Sequence, residues 1–420
     1  MTDSGKRVTV IGAGLVGIAT ASYLQLDGHD VVIVESAAPG EGASFGNAGC
    51  FNSSSVVPMS MPGVIRNVPR WLTDPLGPLA IRWRYLPALV PWLVRFVAAG
   101  RAERVEAQAR ALRALLKRAL ELLAPLLRDA GAEDLVKQVG HLHVYRSMDS
   151  FAREARAWEL RRRNGVEWDA FDRHELRQLD PNLSPEYVHG ILLRANGHTT
   201  DPHALAARLV EAFVGRGGTL QRASAVGFSL EGSRLRAVRT DNGEISAQIA
   251  VVAAGAWSKP LAAGLGDRVP LETERGYHLM VLDPEVTPRI PTTDADGKFV
   301  ATPMDLGLRF AGTVELAGLA APPNWERARV LLRHGRRMFP GLAERYSENR
   351  LSVWMGHRPS LPDSLPVIGP SRASPDVLYA FGHGHVGMTA APATGRVIAD
   401  LVAGRPPLVD ITPFRAQRFA

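Results

Sequence analysis

Val10-Ile11-Gly12-Ala13-Gly14-Leu15-Val16-Gly17, close to the beginning of this 420-residue chain, decides its fold. The apolar run from Arg7 to Ile11 predicts a strand, and the G-x-G-x-x-G turn after it leads into a predicted helix. Gly12 permits a tight turn, Gly14 lets the backbone approach a pyrophosphate, and Gly17 allows the helix to pack closely on the strand. The stretch therefore predicts a dinucleotide-binding βαβ unit.

An acidic residue, Glu35, ends the second predicted strand, Val31 to Val34. A carboxylate at this place suits a ribose with a free 2′-hydroxyl and repels a 2′-phosphate. Leu15 and Val16 lie in the first helical turn, where free N–H groups and a positive partial charge favour phosphate. The sequence thus disfavours NADP, and it leaves FAD and NAD as the alternatives.

The composition is that of an ordinary globular protein, with 46% hydrophobic and 22% charged residues. The single cysteine, Cys50, forms no internal disulfide, and the N-terminus has no secretory signal pattern. We therefore expect a cytoplasmic protein. No recognised nucleic-acid-binding module or dense basic tract is present, so we expect no nucleic-acid partner.

The net charge of +7 is concentrated in residues 64–118, which contain eleven arginines and lysines and only three acidic residues. Within this segment, the apolar run 85–97 is interrupted by Pro87, Pro91 and Arg95 and is too short to span a bilayer. Two interpretations stay open. The segment is either a helical layer with its arginines in water, or a surface that contacts the inner face of the cell membrane.

Periodicity along the rest of the chain predicts alternating helices and strands. We expect a long amphipathic helix from Arg101 to Arg128, a helix that begins at Asp201-Pro202 and runs to about Val214, and two hairpins. The hairpins pair residues 235–240 with 245–253 and residues 299–302 with 308–311. The predicted fold class is α/β: a discontinuous Rossmann-like lobe with an inserted α+β lobe built on an antiparallel sheet.

Several segments resemble the D-amino acid oxidase and glycine oxidase superfamily, and within it the bacterial D-amino acid dehydrogenases. They are Ser44-Phe-Gly-Asn-Ala-Gly-Cys50, Gly197-His-Thr-Thr-Asp-Pro202, Ile249-Ala-Val-Val-Ala-Ala-Gly-Ala-Trp-Ser258, Trp354-Met-Gly-His-Arg-Pro-Ser-Leu-Pro-Asp363, Leu365-Pro-Val-Ile-Gly369 and Gly382-His-Gly-His-Val-Gly-Met-Thr389. The resemblance implies FAD as the cofactor. It places an FAD-binding lobe in residues 1–60, 187–262 and 352–420, and a substrate lobe in residues 61–186 and 263–351.

The glycine turn and the resemblance together indicate a set of cofactor-binding residues. They are Gly12, Gly14, Leu15, Val16, Gly17, Glu35, Ser36, Ser44, Asn47, Ala48, Gly49, Val226, Ala254, Gly255, Trp257, Gly382, His383, Gly384, Gly387, Met388 and Thr389. The resemblance also implies that the last long helix, starting between Gly387 and Pro392, directs its N-terminus at the flavin. Cys50 is not where related sarcosine oxidases have their linking cysteine, so noncovalent FAD is expected.

For the substrate, the resemblance assigns Arg358, whose guanidinium would hold an amino acid carboxylate through two hydrogen bonds. Tyr277 and His383 are further candidates, each with a structural role as the alternative. Arg275 and His278 are weaker candidates, because strand alternation sends Tyr277 and His278 to opposite faces. We assign no catalytic acid or base and no metal ligands.

The resemblance implies an enzyme that transfers a hydride from the α-carbon of a small amino acid, of D configuration, to the flavin. The electrons would pass to a quinone or to oxygen. Within the same family, a cyclic or N-substituted amino acid (D-hydroxyproline, D-proline, sarcosine or an opine) is the alternative substrate. Two functions outside this reaction class stay open as well, an NAD-linked reductase and a noncatalytic FAD-holding sensor or structural subunit.

Overall fold

The computed structural model describes residues 5–64, 68–74 and 77–420. Arg66, one of the basic residues counted above, lies outside this part of the chain. The α-helices are α1 (Leu15–Leu26), α2 (Val68–Thr73), α3 (Leu86–Ala99), α4 (Ala102–Leu116), α5 (Ala119–Ala130), α6 (Met148–Arg153), α7 (Ala155–Arg163), α8 (Arg173–Leu179), α9 (Pro202–Gly215), α10 (Ser258–Gly264), α11 (Glu326–Met338) and α12 (Gly387–Val402).

The strands are β1 (Arg7–Ile11), β2 (Asp30–Glu35), β3 (Cys50–Phe51), β4 (Leu79–Ile81), β5 (Val136–Lys137), β6 (Leu142–Tyr145), β7 (Asp169–Asp172), β8 (His189–Leu192), β9 (Gly197–Thr199), β10 (Thr219–Arg222), β11 (Ala225–Glu231), β12 (Arg234–Thr240), β13 (Gly243–Ser246), β14 (Ile249–Val252), β15 (Glu272–Leu282), β16 (Thr292–Asp294), β17 (Phe299–Met304), β18 (Gly307–Leu316), β19 (Leu351–Ser360), β20 (Val367–Pro370) and β21 (Val377–Phe381).

A six-stranded sheet with the order β10-β2-β1-β14-β21-β20 forms the first lobe. Its strands are parallel except β20, which is antiparallel to β21. The central strands are buried along nearly their whole length, as expected for a sheet covered by helices on both faces. This confirms the predicted α/β fold class, including the strand-turn-helix start of the chain.

Helices α1 and α12 pack directly against each other beside this sheet. A side chain on Gly395 of α12 would meet the carbonyl oxygen of Ala19 at 2.7 Å, so only glycine lets the two backbones approach so closely. α12 begins at Gly387, within the predicted interval. This contact holds α1, which follows the glycine turn at residues 12–14, beside α12, which follows the glycine-rich segment at residues 382–384.

A larger sheet forms the second lobe, with the order β19-β15-β18-β17-β16-β6-β8-β7 and with β4 beside β18. Most of its pairs are antiparallel, and the predicted hairpin of residues 299–302 and 308–311 is confirmed as β17 and β18. Leu279, Phe310 and Leu331 lie in the core between one face of this sheet and α11. The other face is free to meet the first lobe.

Two predicted elements are wrong in detail. The helix expected from Arg101 to Arg128 is two helices, because α4 ends at Leu116 and α5 starts at Ala119. The leucines of both helices pack in one core cluster. A bend between the helices permits this packing, and the spacing of the leucines along the sequence does not reveal the bend. The strand expected at 245–253 is also divided, since β13 pairs with β12 while β14 pairs with β1 in the first sheet.

The start of α9 is confirmed, since the Asp201 side chain accepts hydrogen bonds from the backbone N–H groups of His203 and Ala204. The limits of the two lobes stay a prediction. Strands β8 and β19, which fall in segments expected to belong to the FAD-binding lobe, pair within the large sheet. In the part of the chain that the structure describes, no helix is long and apolar enough to cross a bilayer.

Stability is predicted to fall when the pH drops below about 6.5, the usual histidine pKa. Burial lowers the pKa of His141, His278 and His383 to about 3 and that of His198 and His357 to about 4. The unfolded chain therefore binds protons that the folded chain excludes, and the stabilisation present above pH 6.5 is lost progressively toward pH 4.

Urea unfolding followed by circular dichroism at pH 7.5 and pH 5 checks this prediction. The expected loss is several kcal/mol, because each such histidine contributes up to about 1.4 kcal/mol per pH unit. Equal free energies of unfolding at the two pH values would contradict it.

Candidate active site

A continuous cavity of about 1580 Å³ lies between the two lobes. Residues 11–16 of the first lobe and strands β15, β18 and β19 of the large sheet contribute to its wall. Cavities that hold one drug-sized ligand are usually about 300–1,000 Å³. The volume is therefore sufficient for a dinucleotide together with a small substrate.

The glycine turn forms one end of the cavity, and its three glycines have different roles. Gly12 has a φ of +108°, and a side chain there would meet the Ala253 carbonyl oxygen at 2.6 Å. A side chain on Gly17 would lie 1.9 Å from the Gly12 carbonyl oxygen. A side chain on Gly14 would have only the Ser44 hydroxyl, at 3.5 Å, within contact distance. Gly12 and Gly17 thus build the turn, and Gly14 leaves its surface open to a ligand.

Glu35 lies beside this turn on the cavity wall. Its carboxylate accepts hydrogen bonds from the backbone N–H groups of Ala13 at 2.7 Å, Ser36 at 2.8 Å and Ala37 at 3.1 Å. These bonds fix the acidic side chain at the end of β2. This is the place at which a ribose hydroxyl is expected in a dinucleotide fold.

The predicted cofactor residues converge on the cavity. All of them line it except Gly17, Gly49 and Gly382. Gly49 and Gly382 have φ values of +81° and +84°, so they shape the two glycine-rich segments instead. Segments from opposite ends of the chain, 12–16 and 383–389, are therefore brought to one site.

The loop 44–49 connects the two lobes. The Ser44 hydroxyl accepts a hydrogen bond from the Leu15 N–H at 3.0 Å. Further along the loop, three successive carbonyl groups bind side chains of three strands of the large sheet. Gly46 O pairs with His278 Nδ1 at 3.0 Å, Asn47 O with Arg309 at 2.6 Å, and Ala48 O with Thr302 at 2.8 Å. The carbonyl can only accept, so His278 has its proton on Nδ1.

His383 is buried beside α12, and its Nε2 lies 3.0 Å from the Thr394 hydroxyl. Burial lowers the pKa of His383 to about 3, so the ring is neutral at physiological pH. The first turn of α12, with Gly387, Met388 and Thr389, lines the cavity. The Thr389 hydroxyl accepts a hydrogen bond from the Asn52 N–H at 3.0 Å and so ties α12 to the loop after β3.

Arg358 lies on the cavity face of the large sheet. Its guanidinium crosses Gly276, where a side chain would lie 2.2 Å from the central guanidinium carbon, and it donates to the Thr313 carbonyl oxygen at 3.1 Å. Thr313 has a φ of +54°, and the register between β15 and β18 shifts at this point. A β-bulge with a strained threonine thus presents its carbonyl to Arg358.

Tyr277 is not brought to Arg358. Arg358 crosses Gly276, and successive residues of a strand point to opposite faces, so the Tyr277 side chain lies on the α11 side. Its hydroxyl donates to Glu315 and accepts from the Asn324 N–H at 3.0 Å. Arg275 also bonds to Glu315 at 3.0 Å. Both residues therefore belong to a buried polar network around Glu315, although Tyr277 also contributes to the cavity wall. His278 packs on Trp354, which lines the cavity.

A hydrogen-bonded pair that the sequence did not indicate lies beside Arg358. His385 Nε2 is 2.6 Å from Glu274 Oε2, and Glu274 is directly opposite Arg358 in the pairing of β15 with β19. Although burial alone would raise it, His385 and Arg358 lower the pKa of the Glu274 carboxyl. Both residues line the cavity. The two histidines in residues 382–385 were visible in the sequence, but the carboxylate partner lies more than a hundred residues away.

A family model described as FAD dependent oxidoreductase (DAO) matches residues 7–401 of this chain. The chain belongs to this family. A D-amino-acid oxidase from Bradyrhizobium diazoefficiens is 46% identical over 418 residues, which are 99% of this chain and 99% of that protein. A D-amino acid dehydrogenase from Paramagnetospirillum magneticum is 34% identical over 98% of this chain and 99% of that protein.

Solved structures show the same fold at low sequence identity. A glycine oxidase from Geobacillus kaustophilus has a TM-score of 0.73 at 21% identity and covers 98% of this chain and 99% of that one. An L-proline dehydrogenase from P. horikoshii has a TM-score of 0.74 at 20% identity and covers 99% and 98%. This FAD-dependent oxidoreductase thus shares the architecture of both along its whole length.

The residues of the cavity fit FAD. The open surface of Gly14 accepts a pyrophosphate at the start of α1, and Glu35 suits a ribose without a 2′-phosphate. The side-chain oxygen of Asn52 is buried on the cavity wall without a hydrogen-bond partner, as expected for a group that meets a ligand. Cys50 is less suited to covalent attachment, because burial raises the pKa of its thiol to about 12.

Two alanine substitutions in the glycine turn should separate folding from FAD binding. Gly17→Ala places a methyl group against the Gly12 carbonyl, so it should lower the melting temperature of the protein and its FAD content together. Gly14→Ala meets only a serine hydroxyl, so the apoprotein should fold normally and bind FAD more weakly. Thermal unfolding of the apoproteins and FAD titration check both variants. Equal FAD affinity in Gly14→Ala and wild type would contradict the assignment of Gly14.

Proposed function

We propose that this enzyme oxidises the α-carbon–nitrogen bond of a small D-amino acid and that the imino product hydrolyses to a 2-oxo acid and ammonia. The principal structural support is the Arg358 guanidinium, which lies across Gly276 on the wall of the same cavity as the turn that fits the dinucleotide. The names of the 46% and 34% identical relatives supply the substrate class and the D configuration.

In this proposal, Arg358 binds the substrate carboxylate. Burial lowers the pKa of Arg358 while the nearby Glu274 opposes this effect, and an arginine stays protonated in any case. The bond to Thr313 and the contact with Gly276 fix the direction of the guanidinium. A carboxylate held by two parallel hydrogen bonds would present the α-hydrogen in one orientation, which is the main requirement for hydride transfer.

The other residues of the site would orient the substrate and stabilise charge during the reaction. When bound, FAD supplies the two-electron acceptor for the α-hydrogen. The N-terminus of α12 contributes free N–H groups and a positive partial charge to the cavity wall, and it would stabilise negative charge on a cofactor bound there. Glu274, directly opposite Arg358 on β15, places its negative charge near the guanidinium and is itself hydrogen-bonded to His385. We assign no side chain as a base, because a substrate that binds with a neutral amine needs none.

Arg358→Ala should weaken carboxylate substrates by about 2–5 kcal/mol, because it removes one partner of a desolvated ion pair. The effect is measured as the rate of flavin bleaching against D-alanine concentration under anaerobic conditions. Arg372→Ala, which removes an exposed arginine on the turn between β20 and β21, is the control. An Arg358→Ala enzyme with wild-type KM and kcat would remove Arg358 from the site. Wild-type flavin that no D-amino acid reduces would overturn the proposed function.

We further propose that the electrons leave to a membrane quinone and that α3 contacts the membrane surface. Val90, Val94 and Val97 form an exposed apolar stripe on α3, and Trp83, 68% exposed, extends it. Arg84, Arg95, Arg101 and Arg104 are exposed around this stripe, a pattern that suits anionic lipid. The same helix lines the cavity with Trp92 and Phe96, so a membrane contact would bring an acceptor close to the site.

Cosedimentation with phosphatidylglycerol vesicles tests the membrane contact. Val94→Glu should reduce binding about tenfold or more, since it removes a valine that would enter the lipid and adds a charge that anionic lipid repels. Val214→Glu, at an exposed valine of α9, is the matched control. Wild-type protein that stays in the supernatant at low salt would refute the contact and favour oxygen or a soluble acceptor.

A further inference from the structure

The cavity extends beyond Arg358 along the face of the large sheet. His143, Thr293, Val300 and Ala311 are paired side by side on β6, β16, β17 and β18. Residues at directly paired positions point to the same face, and all four line the cavity. Strand spacing puts Thr293 at about 10 Å and His143 at about 14 Å from β18, where Thr313 binds Arg358. It is therefore a separate end of the same cavity.

An arginine that forms no ion pair with the described residues lies at this end. Arg161 of α7 lines the cavity, and its guanidinium carbon is 4.4 Å from the centre of the Trp158 ring. Its Nε is buried without a hydrogen-bond partner. The charge of Glu154 acts on Arg161, but the Glu154 carboxylate forms its ion pair with Lys298. A cation–π contact alone compensates little of the cost of burying a charge.

The surroundings of Arg161 leave one positive charge unbalanced. Lys298 forms an ion pair with Glu154, and Tyr145 donates to the same carboxylate at 2.8 Å. Two cations thus share one anion at this end of the cavity. A single carboxylate on a ligand would neutralise the remaining positive charge.

Two neutral histidines add hydrogen-bonding capacity. His141 Nε2 is 2.7 Å from the Thr293 hydroxyl, and its Nδ1 is buried without a partner, in a residue that is only 2% exposed. His143 lies beside it with 5.1 Å between the ring centres. Burial lowers the pKa of both rings, and the charge of Arg161 lowers it further. They can therefore donate to an anion without adding charge.

We propose that Arg161, His141 and His143 form a second anion subsite, which binds the far carboxylate of an acidic substrate while Arg358 binds the α-carboxylate. The substrate class is an amino acid whose side chain or N-substituent ends in a carboxylate. This inference rests on the proposed function and narrows it. The length of the cavity favours longer acids over D-aspartate.

Paired substrates that differ only in charge test the proposal with the holoenzyme. Anaerobic flavin reduction is measured with D-glutamate against D-glutamine, D-aspartate against D-asparagine, and with D-2-aminoadipate. Wild-type kcat/KM should be about 10- to 100-fold higher for D-glutamate than for D-glutamine, the range expected for hydrogen bonds to a charged group. The ratio should rise from D-aspartate to the longer acids.

Variants assign the effect to the residue. Arg161→Gln should reduce the ratio of kcat/KM for D-glutamate to kcat/KM for D-glutamine to near one, because the KM of D-glutamate rises. Arg161→Lys should restore part of this ratio. Arg156→Gln, at an exposed arginine of the same helix, should leave the ratio at its wild-type value. The flavin spectrum of each variant shows that the fold and the cofactor are retained.

Three results would overturn the subsite. The first is a wild-type enzyme that reduces its flavin with D-alanine but shows no preference for acids over amides, which leaves the proposed function intact. The second is an acid preference that Arg161→Gln does not change. The third is an Arg161→Gln enzyme in which only the KM of the electron acceptor rises. If no D-amino acid reduces the flavin, the proposed function and the subsite fail together.

Discussion

Three hydrogen bonds from the large sheet to successive carbonyl groups of one loop set the geometry on which the site depends. Gly46, Asn47 and Ala48 are held by strands β15, β18 and β17, and the same loop holds the start of α1 through Ser44. The dinucleotide turn and the cavity face of the large sheet are therefore both held in position by this one loop. Because the three donors belong to three strands, a sliding of the sheet relative to the loop would break all three bonds.

Glycines at this junction allow the large side chains to lie flat on the sheet. The Trp354 ring covers Gly46 and Gly356 so closely that a side chain at either glycine would overlap it, and Arg358 lies over Gly276 in the same way. The strained Thr313 then turns its carbonyl to the guanidinium, at a cost of about 1–3 kcal/mol that the surrounding sheet sustains. Strain of this kind is typical of residues that position a functional group.

The parts of the site that local sequence could predict are those fixed by local physics. The glycine turn and Glu35 depend on short-range geometry, whereas the first turn of α12 was expected from the resemblance, and the structure brings these segments to one cavity. Strand alternation correctly separated Tyr277 from His278, but it could not indicate which face meets the cavity. The partners Glu274 and His385 are brought together only by the pairing of β15 with β19 and the return of the chain at α12. The bend between α4 and α5 also comes from tertiary packing, which leucine spacing does not encode.

The charge balance of the cavity connects the chemistry to the choice of substrate. The charges of Arg358 and Glu274 act on each other across paired strands, and an α-carboxylate bound there would have the Arg358 guanidinium as its counter-charge. A second carboxylate would upset this balance in an apolar cavity unless a second cation met it, because an unpaired buried charge costs several kcal/mol. Arg161 is such a cation, since Lys298 already pairs with Glu154. At the far end of the cavity, Arg161 would neutralise the carboxylate at the tail of the substrate, as Arg358 would neutralise the α-carboxylate at the reacting end.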